Sequence, residues 1–79
     1  MKYIVQNGRR YQAMVLLPFL KAWVPNDMVA DRFREVGFTE VDVAGSGRRR
    51  LAKGLWPKPD ATAELPDEID PGSIKEIEV

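Results

Sequence analysis

Turn and break residues constrain this chain more than any other feature, because they leave room only for short elements. Asn7-Gly8, the prolines at 18 and 25, Gly37, the run Gly45-Ser46-Gly47 and four prolines within residues 57–73 mark the boundaries. Between them, hydrophobic periodicity assigns each piece. "KYIVQ" and "RRYQAMVLL" are β-prone, which predicts strands at 2–6 and 9–17. Asn7 and Gly8 both tolerate the positive φ of a type I′ turn, so the two strands are expected to form a hairpin. In the second strand Tyr11, Ala13, Val15 and Leu17 share one face, and Gln12, Met14 and Leu16 share the other. Both faces become apolar toward its end, which places this strand inside a sheet.

Val24 precedes Pro25 and is therefore extended, and a helix is predicted next, with Asn26 as its N-cap and Asp27 in the first turn. Val29, Phe33 and Val36 recur at i, i+4 and i+7 with Ala30 beside them, giving the helix one buried stripe. Gly37 ends it, and Phe38 is expected to fold back onto the last turn. "FTEVDV" then alternates, and Gly45-Ser46-Gly47 returns the chain as "RRRLAKGLW". A three-residue loop with Gly47 left-handed sets Val41 opposite Leu51 and Asp42 opposite Arg50. That register is preferred to a two-residue loop, which would set Val41 against Ala52 and Val43 against Arg50. On the returning strand Arg48, Arg50, Ala52, Gly54 and Trp56 face one way, while Arg49, Leu51, Lys53 and Leu55 face the other. After Trp56 the chain reads as loop, and "SIKEIEV" is a short end that supplies an edge strand at most, with Lys75, Ile77 and Val79 on one face.

The order β-β-α-β-β, with a further β if the end pairs, predicts an α+β fold: an antiparallel sheet of four strands, or five, with one helix packed on one face. Its β-α-β-β part resembles half of a ferredoxin-like fold, and one helix leaves part of such a sheet uncovered. Residues 1–58 are expected to form the core domain, with 59–79 an acidic, proline-rich C-terminal segment. The first part holds eleven Lys or Arg against five acids, a balance of +6; the second holds one Lys against seven acids, a balance of −6. These cancel, so no net field draws the protein to nucleic acid or an anionic membrane. The acidic segment is read as a solvating terminus that neutralises its neighbours, rather than as a nucleic-acid mimic folded over the basic hairpin.

The chain of 79 residues has no cysteine and no histidine. Disulfide staples and thiolate metal sites are thereby excluded, as are the commonest general base and every Ser-His or Cys-His nucleophile arrangement. Asp27 with Asp31, and Asp67 with Glu68 and Asp70, have too few ligands for a dedicated cation site. The glycines around Ser46 precede a strand rather than a helix, which removes a phosphate-loop reading. No enzyme activity, cofactor or metal is expected. The apolar run 13–24, interrupted by Pro18 and Lys21, is too short to span a bilayer as a helix. A cysteine-free chain fits the reducing cytoplasm.

Two surfaces are functional candidates. Phe19, Leu20 and Trp23 lie between two prolines in a connection that should run over the surface. Phe19 and Leu20 are expected to fold back as a lid over one end of the core, Trp23 is the exposed anchor of a candidate interface formed with them, and Met14 and Leu16 would extend it onto the open sheet face. This predicts a protein interaction or assembly module that self-associates or docks onto another protein. The alternative is a nucleic-acid-binding accessory that grips phosphates with Arg9, Arg10, Arg48, Arg49, Arg50 and Lys53, stacking bases on Trp56 or Tyr11. The cancelled net charge favours the first.

Overall fold

A computed structural model describes residues 1–77. Its elements in order are β1 (Lys2–Val5), β2 (Arg10–Leu16), a 3-10 turn (Phe19–Lys21), α1 (Asn26–Val36), β3 (Thr39–Ala44), β4 (Arg49–Leu55), β5 (Ala61–Glu64), a second 3-10 turn (Pro71–Ser73) and β6 (Lys75–Ile77). One helix and two antiparallel sheets make a small α+β fold. Four strands pair in the order β3-β4-β2-β6, and β1 pairs with β5 alone. The expected single sheet is therefore two sheets, and β5 falls in the stretch expected to be loop.

The first hairpin is the main correction. Asn7 and Gly8 do form a turn, closed by the Arg9 N–H to the Gln6 carbonyl at 3.2 Å. Among the described non-glycine residues only Glu40 has a positive φ, so Asn7 has none, while Gly8 sits at 75°. One positive φ, at the third residue, suits a type II turn rather than the type I′ turn that folds two strands together. Asn7 is instead committed elsewhere: its side-chain amide donates to the carbonyls of Pro57 and Lys58, and its N–H donates to Asp60 Oδ1 at 2.7 Å. At this corner the chain leaves the β1-β5 sheet, where Tyr3 opposes Ala63 and Val5 opposes Ala61, and enters the four-stranded sheet as β2.

β2 is an interior strand, as its two apolar faces predict. It pairs with β4 on one side and with β6 on the other, Ala13 standing opposite Ala52 and Gln12 opposite both Lys53 and Lys75. The segment before β6 also follows this edge. Leu16 N–H donates to the Glu68 carbonyl, Asp70 N–H donates to the Met14 carbonyl, and Ser73 Oγ accepts from Met14 N–H where the 3-10 turn steps outward. The acidic residues 61–77 thus supply two strands and, through Ala63, Leu65 and Ile69, part of the buried core. Val79 lies outside the described residues.

Both registers considered for β3 and β4 are replaced. Asp42 stands opposite Lys53, Val43 opposite Ala52 and Ala44 opposite Leu51, with a bulge between Thr39 and Asp42. Glu40, at φ 49°, sits in that bulge. The reason is β2: it takes Arg49 and Arg50 as partners, opposite Leu16 and Val15, so β4 runs on past the end of β3. Gly45 and Gly47, at φ 101° and 71°, let the chain make the wider return.

The core lies between the inner face of the large sheet and a cover made by α1 with the β1-β5 pair. Tyr11, Ala13, Val15, Ala52 and Trp56 meet Val29 and Phe33 of the helix and Val5 of β1. Phe38 closes the centre edge-on, 5.1 Å from the Trp56 ring centroid and 6.4 Å from that of Phe33. The helix stripe is the predicted one, with Val29, Ala30 and Phe33 buried. Its start differs: Pro25 takes the N-cap place and Asn26 is the first helical residue, its side chain used elsewhere. Gly37 ends the helix at φ 132°, and Phe38 N–H reaches the Phe33 carbonyl at 3.2 Å. A Cβ at this glycine would stand 3.1 Å from the Trp56 ring. Gly37→Ala is therefore expected to lower stability by about 1–3 kcal/mol, read as a lower urea midpoint with an unchanged slope.

Candidate protein-binding surface

The connection from β2 to α1 begins at Pro18, which has no N–H to continue a ladder. Three successive short-range bonds then wind it up: Lys21 N–H to the Pro18 carbonyl, Ala22 to Phe19 and Val24 to Lys21. Tight turns of this kind order the backbone and turn the side chains outward. Phe19 is 76% exposed, Leu20 82% and Trp23 72%. Trp23 is exposed as expected, but Phe19 and Leu20 stand out from the core instead of folding back over it as a lid, because the 3-10 turn at Phe19–Lys21 has no buried residue. Met28, from the first turn of α1, is 51% exposed and joins them. It falls off the buried Val29/Phe33 stripe, the one mark in the sequence of a residue that is not among the expected interface residues.

What holds this connection is Arg50, only 4% exposed. Its guanidinium donates from Nε to the Gly47 carbonyl at 3.0 Å, from Nη1 to Asn26 Oδ1 at 2.7 Å and from Nη2 to the Ala22 carbonyl at 2.8 Å. Asn26 in turn donates to the Gly45 carbonyl at 3.1 Å. One planar fork thus ties the β3-β4 loop, the first residue of the helix and the apolar connection together. A lysine offers one point of donation and cannot span three acceptors in this way.

Beside the connection is a groove of about 210 Å³ walled by Leu17, Trp23, Val24, Met28 and Pro66, with Lys21 among its lining residues. Its rim carries Arg32 and Glu68, paired at 2.7 Å with a second bond at 3.3 Å. The volume is below the roughly 300–1,000 Å³ of small-molecule pockets. It suits an inserted apolar side chain. Burial pushes the Glu68 carboxyl upward, but the adjacent Arg32 guanidinium outweighs this and holds it below its ordinary 4.5.

The remaining candidates are dispersed. Met14 is half-buried and Leu16 exposed on the outer face of the large sheet, alongside half-buried Leu51 and Leu55. They face away from the core that underlies Trp23. The basic set also comes apart. Arg50 is consumed inside the fold, Arg48 Nε donates to the Leu17 carbonyl, Arg10 pairs with Glu40 at 3.0 Å, and Arg9 lies 3.7 Å from Glu76. Arg49 and Lys53 are exposed on the open face. Trp56 and Tyr11, expected as stacking platforms, are core residues. Trp56 Nε1 donates to the Pro59 carbonyl, and Tyr11 OH accepts from Gln6 N–H.

Among the described residues no group of three or more acidic side chains is placed to hold a metal ion, and no helix is long and apolar enough to cross a membrane. Asp31 pairs with Arg34 within α1. The chain matches no protein-family model, no curated protein and no solved structure.

Two outcomes follow from these contacts. Arg50→Ala leaves buried carbonyls unpaired, at about 1–3 kcal/mol for each such group. Chemical unfolding should show that loss, Arg50→Lys should recover little of it, and hydrogen exchange at Ala22 and Val24 should accelerate. For Glu68, a folded pKa below the unfolded one gives stability that is present above the unfolded value and is lost as pH falls through the folded one. Unfolding free energy should therefore drop as pH is lowered below about 4.5, and Arg32→Ala should flatten that drop.

Proposed function

We propose that this protein is a non-enzymatic protein-binding module that docks through the apolar surface of residues 19–23 and Met28. One observation carries the reading: three large apolar side chains are about three-quarters exposed on a backbone that Arg50 holds in place. Solvent-exposed apolar side chains on a mobile loop would pay ordering entropy on binding; side chains on a tied backbone have less to lose. Tryptophan over an apolar groove is also the residue type favoured at the centre of interfaces. Met14, Leu16, Leu51 and Leu55 offer a second, weaker contact area on the uncovered sheet face. For phosphate binding, by contrast, Arg49 and Lys53 remain without an ion pair among the described residues, and neither candidate stacking ring is accessible.

The same reading takes the β2-α1-β3-β4 unit, with β4 lying between β2 and β3, as half of a ferredoxin-like fold. A fold of that kind brings no particular function with it. We assign the protein to a reducing cytoplasm on its cysteine-free composition.

The test compares partner capture by the wild type and by Phe19→Ser/Leu20→Ser/Trp23→Ser, after equal melting temperatures establish that both fold. Proteins retained by the wild type at high salt and lost by the triple variant are the expected outcome. Retention of the same proteins by both would overturn this surface. Binding that instead disappears with Arg49→Ala/Lys53→Ala and falls steeply with salt would favour the phosphate reading.

A further inference from the structure

We infer that the occupant of this surface is a second copy of the same chain, the projecting Phe19 and Leu20 of each copy entering the Trp23-Met28 groove of the other. The inference rests on the protein-binding reading above and names the partner. A two-fold interface requires a surface complementary to itself. Here projection and hollow belong to one connection: Phe19 and Leu20 stand out at 76% and 82% exposure, and Trp23 and Val24, one turn on, form a wall of the groove. A rotation about an axis between them sets each projection against the other copy's hollow. The groove, at about 210 Å³, has room for side chains of this size rather than for a bulkier ligand.

Area points the same way. A phenylalanine or tryptophan buries about 150–250 Å². At the exposures of Phe19 and Trp23 the two offer roughly 200–350 Å² between them, and Leu20 and Met28 add to it. That exceeds a scattering of single surface residues, and approaches the upper end of the roughly 300–600 Å² patches found on monomers. It also supplies much of the apolar centre of an interface that buries about 800 Å² per partner. Charge does not oppose pairing, because twelve basic residues balance twelve acidic ones. Lys21, next to Leu20, and Asp27, next to Met28, make no ion pair among the described residues. Seating Leu20 of one copy beside Met28 of the other also brings Lys21 of the first near Asp27 of the second, opposite charges that set the orientation of the pair.

The test is the mass of the full chain by sedimentation equilibrium from micromolar to millimolar concentration, at low and high salt. The expected result is a mass twice the 9.0 kDa of one chain that persists in high salt. Trp23→Ser or Leu20→Asp, with melting unchanged, should weaken the dimer by about thirtyfold or more, the effect of losing an interface centre. Because the chain has no cysteine of its own, a mixture of L20C and M28C chains should form a disulfide between unlike chains faster than either variant does alone. A single-chain mass throughout overturns the inference. So does a dimer that survives both substitutions, since it must pair elsewhere. A monomer in which the triple variant of the preceding section still abolishes capture of another protein overturns the second copy alone. A monomer whose captured proteins are unaffected by that variant removes the protein-binding reading as well.

Discussion

Arg50 is the one buried charged residue among those described, and three separate stretches of backbone are held by it. No carboxylate neutralises it. Its charge is instead spread over the carbonyls of Ala22 and Gly47 and the amide oxygen of Asn26. Burying a charge is tolerable only when its donors are all directed at acceptors, and a guanidinium can meet that condition with polar groups alone. The consequence reaches outward. The helix start, the wide β3-β4 return and the apolar connection all converge on this side chain, so a surface that would otherwise be a loose loop becomes a defined shape.

A second constraint acts at the other end of the molecule. The aromatic cluster of Tyr11, Phe33, Phe38 and Trp56 needs a cover that a single eleven-residue helix does not provide. The β1-β5 pair supplies the rest, with Val5 and Ala63 facing inward. A domain this small has little apolar surface to bury, so drawing the acidic segment into the core through Leu65 and Ile69 is part of how the fold reaches stability. The negative charges of that segment stay outside, where Glu68 meets Arg32 and Glu76 lies near Arg9.

This arrangement leaves two kinds of surface. The outer face of the large sheet mixes polar side chains such as Gln12, Arg49 and Lys53 with apolar Met14, Leu51 and Leu55, opposite an inner face that is buried in the core. The end of the molecule beside α1 does not alternate, and it gathers Phe19, Leu20, Trp23 and Met28 on one rigid corner. The exposure of Trp23 was legible because two prolines confine it to a connection; that of Phe19 and Leu20 was not, because nothing local decides whether such side chains fold back over the core or stand out. Met28 was marked in the sequence only by its place off the Val29/Phe33 stripe, and the groove was not marked at all, since its far wall, Pro66, comes from a remote part of the chain.

Local pattern by itself determined the strand and helix positions of residues 1–56, the inward faces of β2 and β4, the glycine stop at residue 37 and the exposure of Trp23. Periodicity and backbone preference act over a few residues, so they are written in the sequence where they occur. Tertiary structure decided what β1 pairs with, the register of β3 on β4 and the destination of Arg50. Asn7-Gly8 permits either of two turns, and bonds to Pro57, Lys58 and Asp60 choose between them. An arginine on an inward face reads as an error until Ala22 and Asn26 are folded against it. Each of these outcomes depends on groups more than twenty residues apart, and their pairing free energy exists only once the chain has brought them together.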